Sequence, residues 1–555
     1  MSRILFALAF GFCAVFGASS GQAASVKVAA IHFRPELGDV SANRSRLLAL
    51  NEEAARAGAK IIVNTEMATS GYSIFSRDDM SKVAEEIPGP TTRAFGDLAK
   101  RNGVYIAVGL PEFDPVTNQY FNSAAFIGPD GMVVGTYRKR NSLIEASYNA
   151  VATGPVPTFD TPYGRVSIVI CADLFYPHFA RLAAVAGTDI LLAPANTGIS
   201  MPFLSQRARE NDMSVIVANR YGKETKGTEV DAFTEDSFTI PSPMVYDFSY
   251  DSLSGIVQDD GTPLAAWSDP ADGVVYGDLA IRPAGTFPAV RRPDLYTILN
   301  QDTLEDYTFR QLGLPKPMVT GLAAADLGAG VHDPADVAKA LDKASAKARS
   351  ENIPLGLFVL PYGVFLKDDP VTLNELSLIV QNSGVDVVVS FREGGPEAQP
   401  TSILFATDSG KVTPYRYVRT HRLPNEHLKP GEHFLIVDRP YGRLSLLQGP
   451  DLLAPETSMV MEKLGVDVIA VAADMADPSA DTLWRTRAAD YLNIVVANAS
   501  GDEGVFLGGY PAPPSESIAE GMAFLRADSG QVRTKKEPRH IDVSPLLVEC
   551  SRSRC

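Results

Sequence analysis

The chain has 555 residues, more than a single hydrophobic core holds, so two to four domains are expected. Hydrophobic residues at 45 % and charged ones at 21 % are the ordinary balance of a soluble globular protein. A formal net charge of −16 excludes sequence-independent nucleic-acid binding, which needs a cationic face, and no long Lys/Arg run or low-complexity tract occurs.

In chain order, the opening "MSRILFALAFGFCAVFGASSGQAAS" has a short basic start, an apolar stretch and a small-residue end. That is the layout of a secretory signal peptide over residues 1–24, cut after Ala23 or Ala24. The alternative is an uncleaved anchor, but the apolar stretch is shorter than the roughly 20 residues a spanning helix needs. No later segment is suited to span a bilayer, so no integral span is expected after signal removal. The protein is then expected in the periplasm or secreted. Cys13 lacks the small residues that precede a lipid-attachment cysteine.

Beyond the leader, "VKVAAIHF", "KIIVNTE", "VYIAVGL", "SAAFIGP", "VSIVICA" and "DILLAPAN" read as buried strands. "SANRSRLLALNEEAARAG", "TRAFGDLAKRNG" and "FARLAAVAG" read as helices, the last two closed by Gly. Such alternation predicts an α/β architecture with helices covering the sheet faces. Residues 221–315, rich in Pro, Gly, Asp and Ser, hold the late strands of this unit and a linker. The expected division is therefore 25–286, a linker over 287–315, and a second unit over 316–555.

The second unit repeats the first. "FDTPYGRVSIVICADLFYPHFARLAAVAGTDILLAPAN" (159–196) aligns with "VDRPYGRLSLLQGPDLLAPETSMVMEKLGVDVIAVAAD" (437–474). Gly164 meets Gly442 and Asp173 meets Asp451, both 278 residues apart (442 − 164 and 451 − 173). "RARENDMSVIVAN" resembles "RTRAADYLNIVVAN" further on, and "GAKIIVNTEMATSGYSIF" corresponds loosely to "IPLGLFVLPYGVF". A phrase this long with Gly, Asp and Asn in register marks an internal duplication.

In the first copy three polar residues stand where strands give way to loops, the place where α/β sheets bind ligands. They are Glu66 after "KIIVNT", Lys139 in "GTYRKRNSLIEASYN", and Cys171 at the end of "VSIVI". Taken singly each has a bland reading: a solvated loop carboxylate, a solvated cationic run, a buried structural thiol. Four cysteines occur; Cys550 and Cys555 lie close enough in "ECSRSRC" to pair in an oxidising compartment, which leaves Cys171 as the odd thiol of an exported chain. A thiol needs a base. His178 is near in sequence but points to the following helix, whereas a carboxylate whose proton affinity is adjusted by burial and a lysine also serves.

"TEMATSGY", "YRKRNSLIE" and "VICADLFYP" resemble the three catalytic motifs of the nitrilase (carbon–nitrogen hydrolase) superfamily. "GYSIFSRDDM", "KRNSLIEASYN" and "FDTPYGRVSIVICADLFY" look most like its vanin and biotinidase branch, over most of residues 26–285. "NTE" departs from the family's usual Pro before the glutamate. The resemblance implies a four-layer α-β-β-α sandwich and a Glu66–Lys139–Cys171 triad needing no cofactor or metal. Glu66 would take the thiol proton, Cys171 would form a thioester, and Lys139 with the backbone N–H of Ala172 would stabilise the oxyanion. It further implies a supporting role for Glu145 and pocket walls at Tyr72, Phe175 and Asn196. The substrate would be a small-molecule amide of pantetheine or biotin type.

The second copy lacks this set: Cys171 aligns with Gly449, Glu66 falls near Pro361 or Tyr362, and Lys139 near Val418 or Arg419. It is expected to be a non-catalytic domain that occupies the face through which such domains pair, making the chain a monomer with an internal pseudo-dimer. An alternative is that it shapes the mouth of the active site. Two rival functions stand beside hydrolysis: acyl transfer to an amine, and a non-catalytic binding protein. No Gly-rich phosphate loop and no clustered His/Cys set is visible.

Overall fold

The computed structural model describes residues 25–74, 76–141, 149–225, 234–235, 238–239, 245–247, 252–282, 285–301, 315–325, 327, 332–365, 369–391, 399–472, 480–491, 494–498, 505–507, 521–533, 535, 538 and 541–549. The leader, Glu145, Cys13, Cys550 and Cys555 lie outside the described residues. Among the described residues no helix is long and apolar enough to cross a membrane.

The strands of the first half are β1 Ser25–His32, β2 Ile61–Val63, β3 Tyr105–Asp114, β4 Gln119–Ile127, β5 Val133–Arg138, β6 Thr158–Thr161, β7 Gly164–Ile168, β8 Ile190–Ala195 and β9 Ser214–Asn219. Short pieces follow, β10 Lys223–Thr225, β11 Thr234–Glu235, β12 Phe238–Thr239 and β13 Val245–Asp247, then β14 Ser254–Val257, β15 Pro263–Trp267 and β16 Gly273–Ala280. The helices are α1 Val40–Arg56, α2 Arg77–Val83, α3 Pro90–Asn102, α4 Pro177–Val185 and α5 Met201–Asn211. One sheet runs β16-β1-β2-β3-β4-β5 and the other β15-β14-β9-β8-β7-β6.

Strand alternation divides the side chains between two cores. Val28, Ala30, Val63 and Ala107 point into the core between the sheets, with Ile168, Leu192 and Ile216 from the second sheet. Ala29, Ile31, Ile62 and Ile106 point outward onto α1 and α3, meeting Leu47, Ala54, Phe95 and Leu98. Helices α4 and α5 cover the outer face of the second sheet, giving the four-layer α-β-β-α sandwich. Helix starts follow the capping chemistry: Asp39 and Ser76 accept from backbone N–H groups of the first turn, and Gly103 ends α3 in the left-handed conformation.

The second half repeats this plan. Its strands are β17 Val319–Ala325, β18 Leu355–Val359, β19 Asp386–Phe391, β20 Thr401–Asp408, β21 Lys411–Val418, β22 Leu435–Arg439, β23 Gly442–Gln448, β24 Val468–Ala472, β25 Ile494–Asn498, β26 Val505–Leu507 and β27 Met522–Asp528. The sheets run β27-β17-β18-β19-β20-β21 and β26-β25-β24-β23-β22, the orders of the first half strand for strand apart from β15. Parallel and antiparallel pairings match as well: β1–β2 and β17–β18 are parallel, β1–β16 and β17–β27 antiparallel. The duplication is thus one of fold and not only of phrase.

The halves meet through helices. α4 packs on Pro455–Lys463 and α5 on Ala480–Tyr491. Residues expected as part of a linker are held between them: Tyr296 is fully buried with its hydroxyl 2.8 Å from His421 Nε2, and Arg291 donates to Glu456 and to the carbonyls of Leu546 and Val548.

Candidate active site

Glu66 lies just past β2, in a segment pinned to β3 by Asn64 N–H to Ala107 O at 2.8 Å and Ala68 N–H to Gly109 O at 2.9 Å. The approach is so close that a Cβ on Gly109 would stand 2.3 Å from Thr65 O and 2.9 Å from the Glu66 Cα. Gly109 is therefore what lets the glutamate sit there. Glu66 is fully buried, and its Oε1 accepts from Lys139 Nζ at 2.8 Å and from Asn122 Nδ2 at 2.7 Å. A buried ion pair tied down by a further donor is held in one geometry.

Lys139 follows β5, and its own N–H donates to Asn122 O at 2.8 Å, so one residue of β4 orients both members of the pair. The ammonium stands 5.5 Å from the centre of the half-buried Tyr72 ring.

Cys171 opens a 3₁₀ turn, Cys171–Phe175, three residues after the end of β7. Its φ is +50°, a left-handed conformation costing a non-glycine residue about 1–2 kcal/mol. Strain of this kind at a strand-to-helix turn turns a side chain out toward ligand. The thiol meets the Glu66 carboxylate and the backbone N–H of Asn196. Burial, and after it the Glu66 charge, push the thiol well above its ordinary range, against the pull of Lys139. The thiol is thus held in its neutral form, with a carboxylate beside it.

The turn is anchored from behind by Asp173, which accepts from Tyr137 Oη at 2.7 Å, Asn141 N–H at 2.8 Å and Ile170 N–H at 3.2 Å. Full burial raises this carboxyl to about 6 despite the Tyr137 hydroxyl. Ala172 is half-buried in the first turn, and Phe175 packs on Phe203 with ring centres 5.4 Å apart. Asn196 follows β8; its side-chain amide and that of Asn149 are buried and make no hydrogen bond among the described residues. His178 is buried in α4, where burial lowers it to about 3 and its charged neighbours are Lys463, Arg207 and Glu456. It faces the second half, and the carboxylate beside the thiol is that of Glu66. Among the described residues no group of three or more His, Cys, Asp or Glu side chains is placed to hold a metal ion.

Asn122, Gly109, Asp173, Tyr137 and Asn149 are site residues that the motif reading did not single out. "FNSAAF" carries a signal for Asn122, a carboxamide inside an otherwise apolar strand. Gly109 carries none, because its requirement arises from another strand's approach.

The family model described as carbon-nitrogen hydrolase matches residues 27–286. A nitrilase of Pyrococcus abyssi is 34 % identical over 205 residues, 36 % of this chain and 76 % of that protein. The human omega-amidase NIT2 is 32 % identical over 192 residues, covering 32 % of this chain and 68 % of the relative. This chain belongs to the carbon–nitrogen hydrolase superfamily. Among solved structures, yeast (Saccharomyces cerevisiae) Nit3 of the nitrilase superfamily superposes with a TM-score of 0.38 at 21 % identity, covering 46 % of this chain and 90 % of that one. The relatives reported are a nitrilase and an omega-amidase, so the narrower likeness to vanins and biotinidase rests on the quoted motifs alone.

In the second half of this hydrolase, the brace persists around different residues. Asp451 accepts from Tyr417 Oη at 2.8 Å, His421 N–H at 2.9 Å and Gln448 N–H at 2.8 Å, the equivalents of Tyr137, Asn141 and Ile170. This register sets Lys139 against Arg419 and Cys171 against Gly449. Leu360 N–H donates to Val388 O as Asn64 does to Ala107 O, which sets Glu66 against Tyr362. Arg419 Nη2 lies 2.5 Å from Glu426 Oε2.

Proposed function

We propose that the first half is a thiol amidohydrolase that cleaves the carbon–nitrogen bond of a small linear amide through a thioester on Cys171. The observation that carries this is the meeting of a buried carboxylate, a buried ammonium and a thiol on a strained turn, at the loop ends of both sheets. Glu66 accepts the thiol proton as Sγ attacks the carbonyl carbon, so no free thiolate is needed. The tetrahedral oxyanion is met by the Lys139 ammonium and the N–H of Ala172. Collapse breaks the C–N bond, and Glu66 returns the proton to the leaving amine. Glu66 then takes a proton from water, which attacks the thioester; the acid departs and the thiol is restored. The amides of Asn149 and Asn196 suit a substrate with a polar group near the scissile bond, and Tyr72 and Phe175 line its apolar part.

The second half, with Tyr362, Arg419 and Gly449 in the three equivalent places, has no nucleophile or carboxylate there and serves as a non-catalytic partner. The two domains are 25–286 and 316–555, and the helical contact between them makes the monomer its own pseudo-dimer. The motifs around the triad favour pantetheine-like or biotin-amide-like substrates, while the omega-amidase named above brings ω-amides into the same panel. The composition of residues 1–24 supports export to the periplasm or beyond.

The test is turnover of an amide panel, including pantetheine, biotin amides and ω-amides, by wild type beside Cys171→Ala. Hydrolysis that vanishes in the variant is expected. Turnover unchanged by Cys171→Ala would refute the proposal. Acyl-Cys171 that is discharged by an added amine and not by water would favour acyl transfer instead.

A further inference from the structure

The contact between the halves reaches the nucleophile. Arg207 of α5 is fully buried, and its guanidinium caps the last carbonyls of the cysteine turn: Nε donates to Leu174 O at 3.0 Å and Nη2 to Phe175 O at 2.8 Å. Carbonyls at the end of a helical turn have no partner within it, so an outside donor decides where they sit. The same guanidinium is held by Glu210 of its own helix, Nη1 to Oε1 at 2.7 Å, and by Asp490 of the second half, Nη2 to Oδ1 at 2.5 Å.

The arrangement is reciprocal. Arg487, 280 residues after Arg207, donates from Nε to Leu452 O at 2.7 Å and lies 2.9 Å from Glu210 Oε2. Asp490 stands 280 residues after Glu210 and also receives Arg487 at 3.1 Å. Each half therefore supplies an acid to the other's arginine, and each arginine braces its own turn, as in the isologous interface of a two-fold dimer. Only one of the two turns carries a thiol. Four buried charges tolerate little displacement, because any shift leaves a charge uncompensated.

We infer that the second half acts on the chemistry of the first: Asp490, through Arg207, is a positioning residue that holds the Cys171 turn in its attacking geometry. This rests on Cys171 being the nucleophile. It assigns the duplicated domain a function that the loss of its own thiol leaves intact.

The test compares Arg207→Lys with Arg487→Lys in the full chain. Both keep the charge and lose the fork, so both are expected to lower the unfolding temperature alike. The readout is the rate at which iodoacetamide alkylates Cys171, followed by mass spectrometry over a pH series, with amide turnover beside it. Arg207→Lys is expected to slow alkylation and kcat about tenfold or more with KM little changed, the loss of hydrogen bonds from a charged donor. Arg487→Lys, whose own cap is on the thiol-free turn and which reaches Cys171 only through the acids it shares with Arg207, is expected to slow both by a clearly smaller factor. Should Arg207→Lys not fold, Asp490→Asn keeps the side-chain volume and is expected to slow alkylation similarly, with Asp490→Glu restoring part of the rate. Equal slowing by both arginine variants, or slowing by neither, overturns the inference while leaving the nucleophile in place. Turnover surviving Cys171→Ala would instead remove its premise.

Discussion

Replacing Gly109 by alanine adds one methyl group to β3, and the structure says where it goes. The new Cβ would stand 2.3 Å from Thr65 O, against a lower limit of about 3.0 Å for real contacts, so the Thr65–Met67 segment must retreat by about 0.7 Å or more. The atoms in the way are backbone, which cannot rotate aside. The nearest beyond the carbonyl is the Glu66 Cα at 2.9 Å, so the glutamate moves with the segment and its 2.8 Å contact with Lys139 Nζ is disturbed. Overpacking of this kind costs about 1–3 kcal/mol in stability. A displacement near 1 Å of the group proposed to transfer the proton costs on the order of 100-fold in rate. Gly96→Ala separates the two effects: its Cβ would meet Gly131 O at the same 2.3 Å, between α3 and the β4–β5 turn, far from Glu66. The assay is the iodoacetamide alkylation rate of Cys171 with amide turnover, read against thermal unfolding. Both variants are expected to lose similar stability, and only Gly109→Ala to lose the rate. Gly109→Ala within about threefold of wild type, or equal losses from both, would refute the argument that this glycine places the base.

Three further outcomes follow from the site. Asn122→Leu removes the second donor on Glu66 Oε1 and is expected to lower kcat about tenfold or more, a loss of about 1.5–3 kcal/mol, seen in steady-state kinetics with little change in KM. Asp173→Ala and Asp451→Ala each strand several buried donors and are expected to destabilise by about 3 kcal/mol in chemical denaturation; only the first is expected to abolish turnover, since only its turn bears a thiol. His178, lowered from 6.5 to about 3 by burial, stays neutral in the fold while the unfolded chain binds a proton below pH 6.5. Unfolded protein therefore holds more protons between pH 6.5 and about 3, and stability falls on acidification through that window. At pH 5 this amounts to about 2 kcal/mol. His178→Asn is expected to shrink the difference in unfolding free energy between pH 8 and pH 5 by about that much.

Much of this protein is written locally. Alternation of short Val/Ile/Leu runs with Gly-closed helical stretches determines the α/β class, because period 2 and period 3.6 bury different faces and both are set within one element. The duplication was legible because Gly164 and Gly442 share a positive φ, and Asp173 and Asp451 share a brace, that the backbone demands in each copy. Glu66, Lys139 and Cys171 could be singled out in order because each stands just past a strand, at the loop side of its sheet. Other features are properties of pairs distant in sequence, and only the tertiary structure decided them. Asn122 is an ordinary strand residue until β4 lies beside the Glu66 segment, and Gly109 is ordinary until that segment packs over it. The exchange of Asp490 and Glu210 between the halves is invisible in either copy alone. Sequence patterning determines which face of each element seeks cover, since that depends on neighbours a few residues away. Which charge meets which carbonyl depends on two helices about 280 residues apart in the chain, and that is settled only when the two halves close on each other.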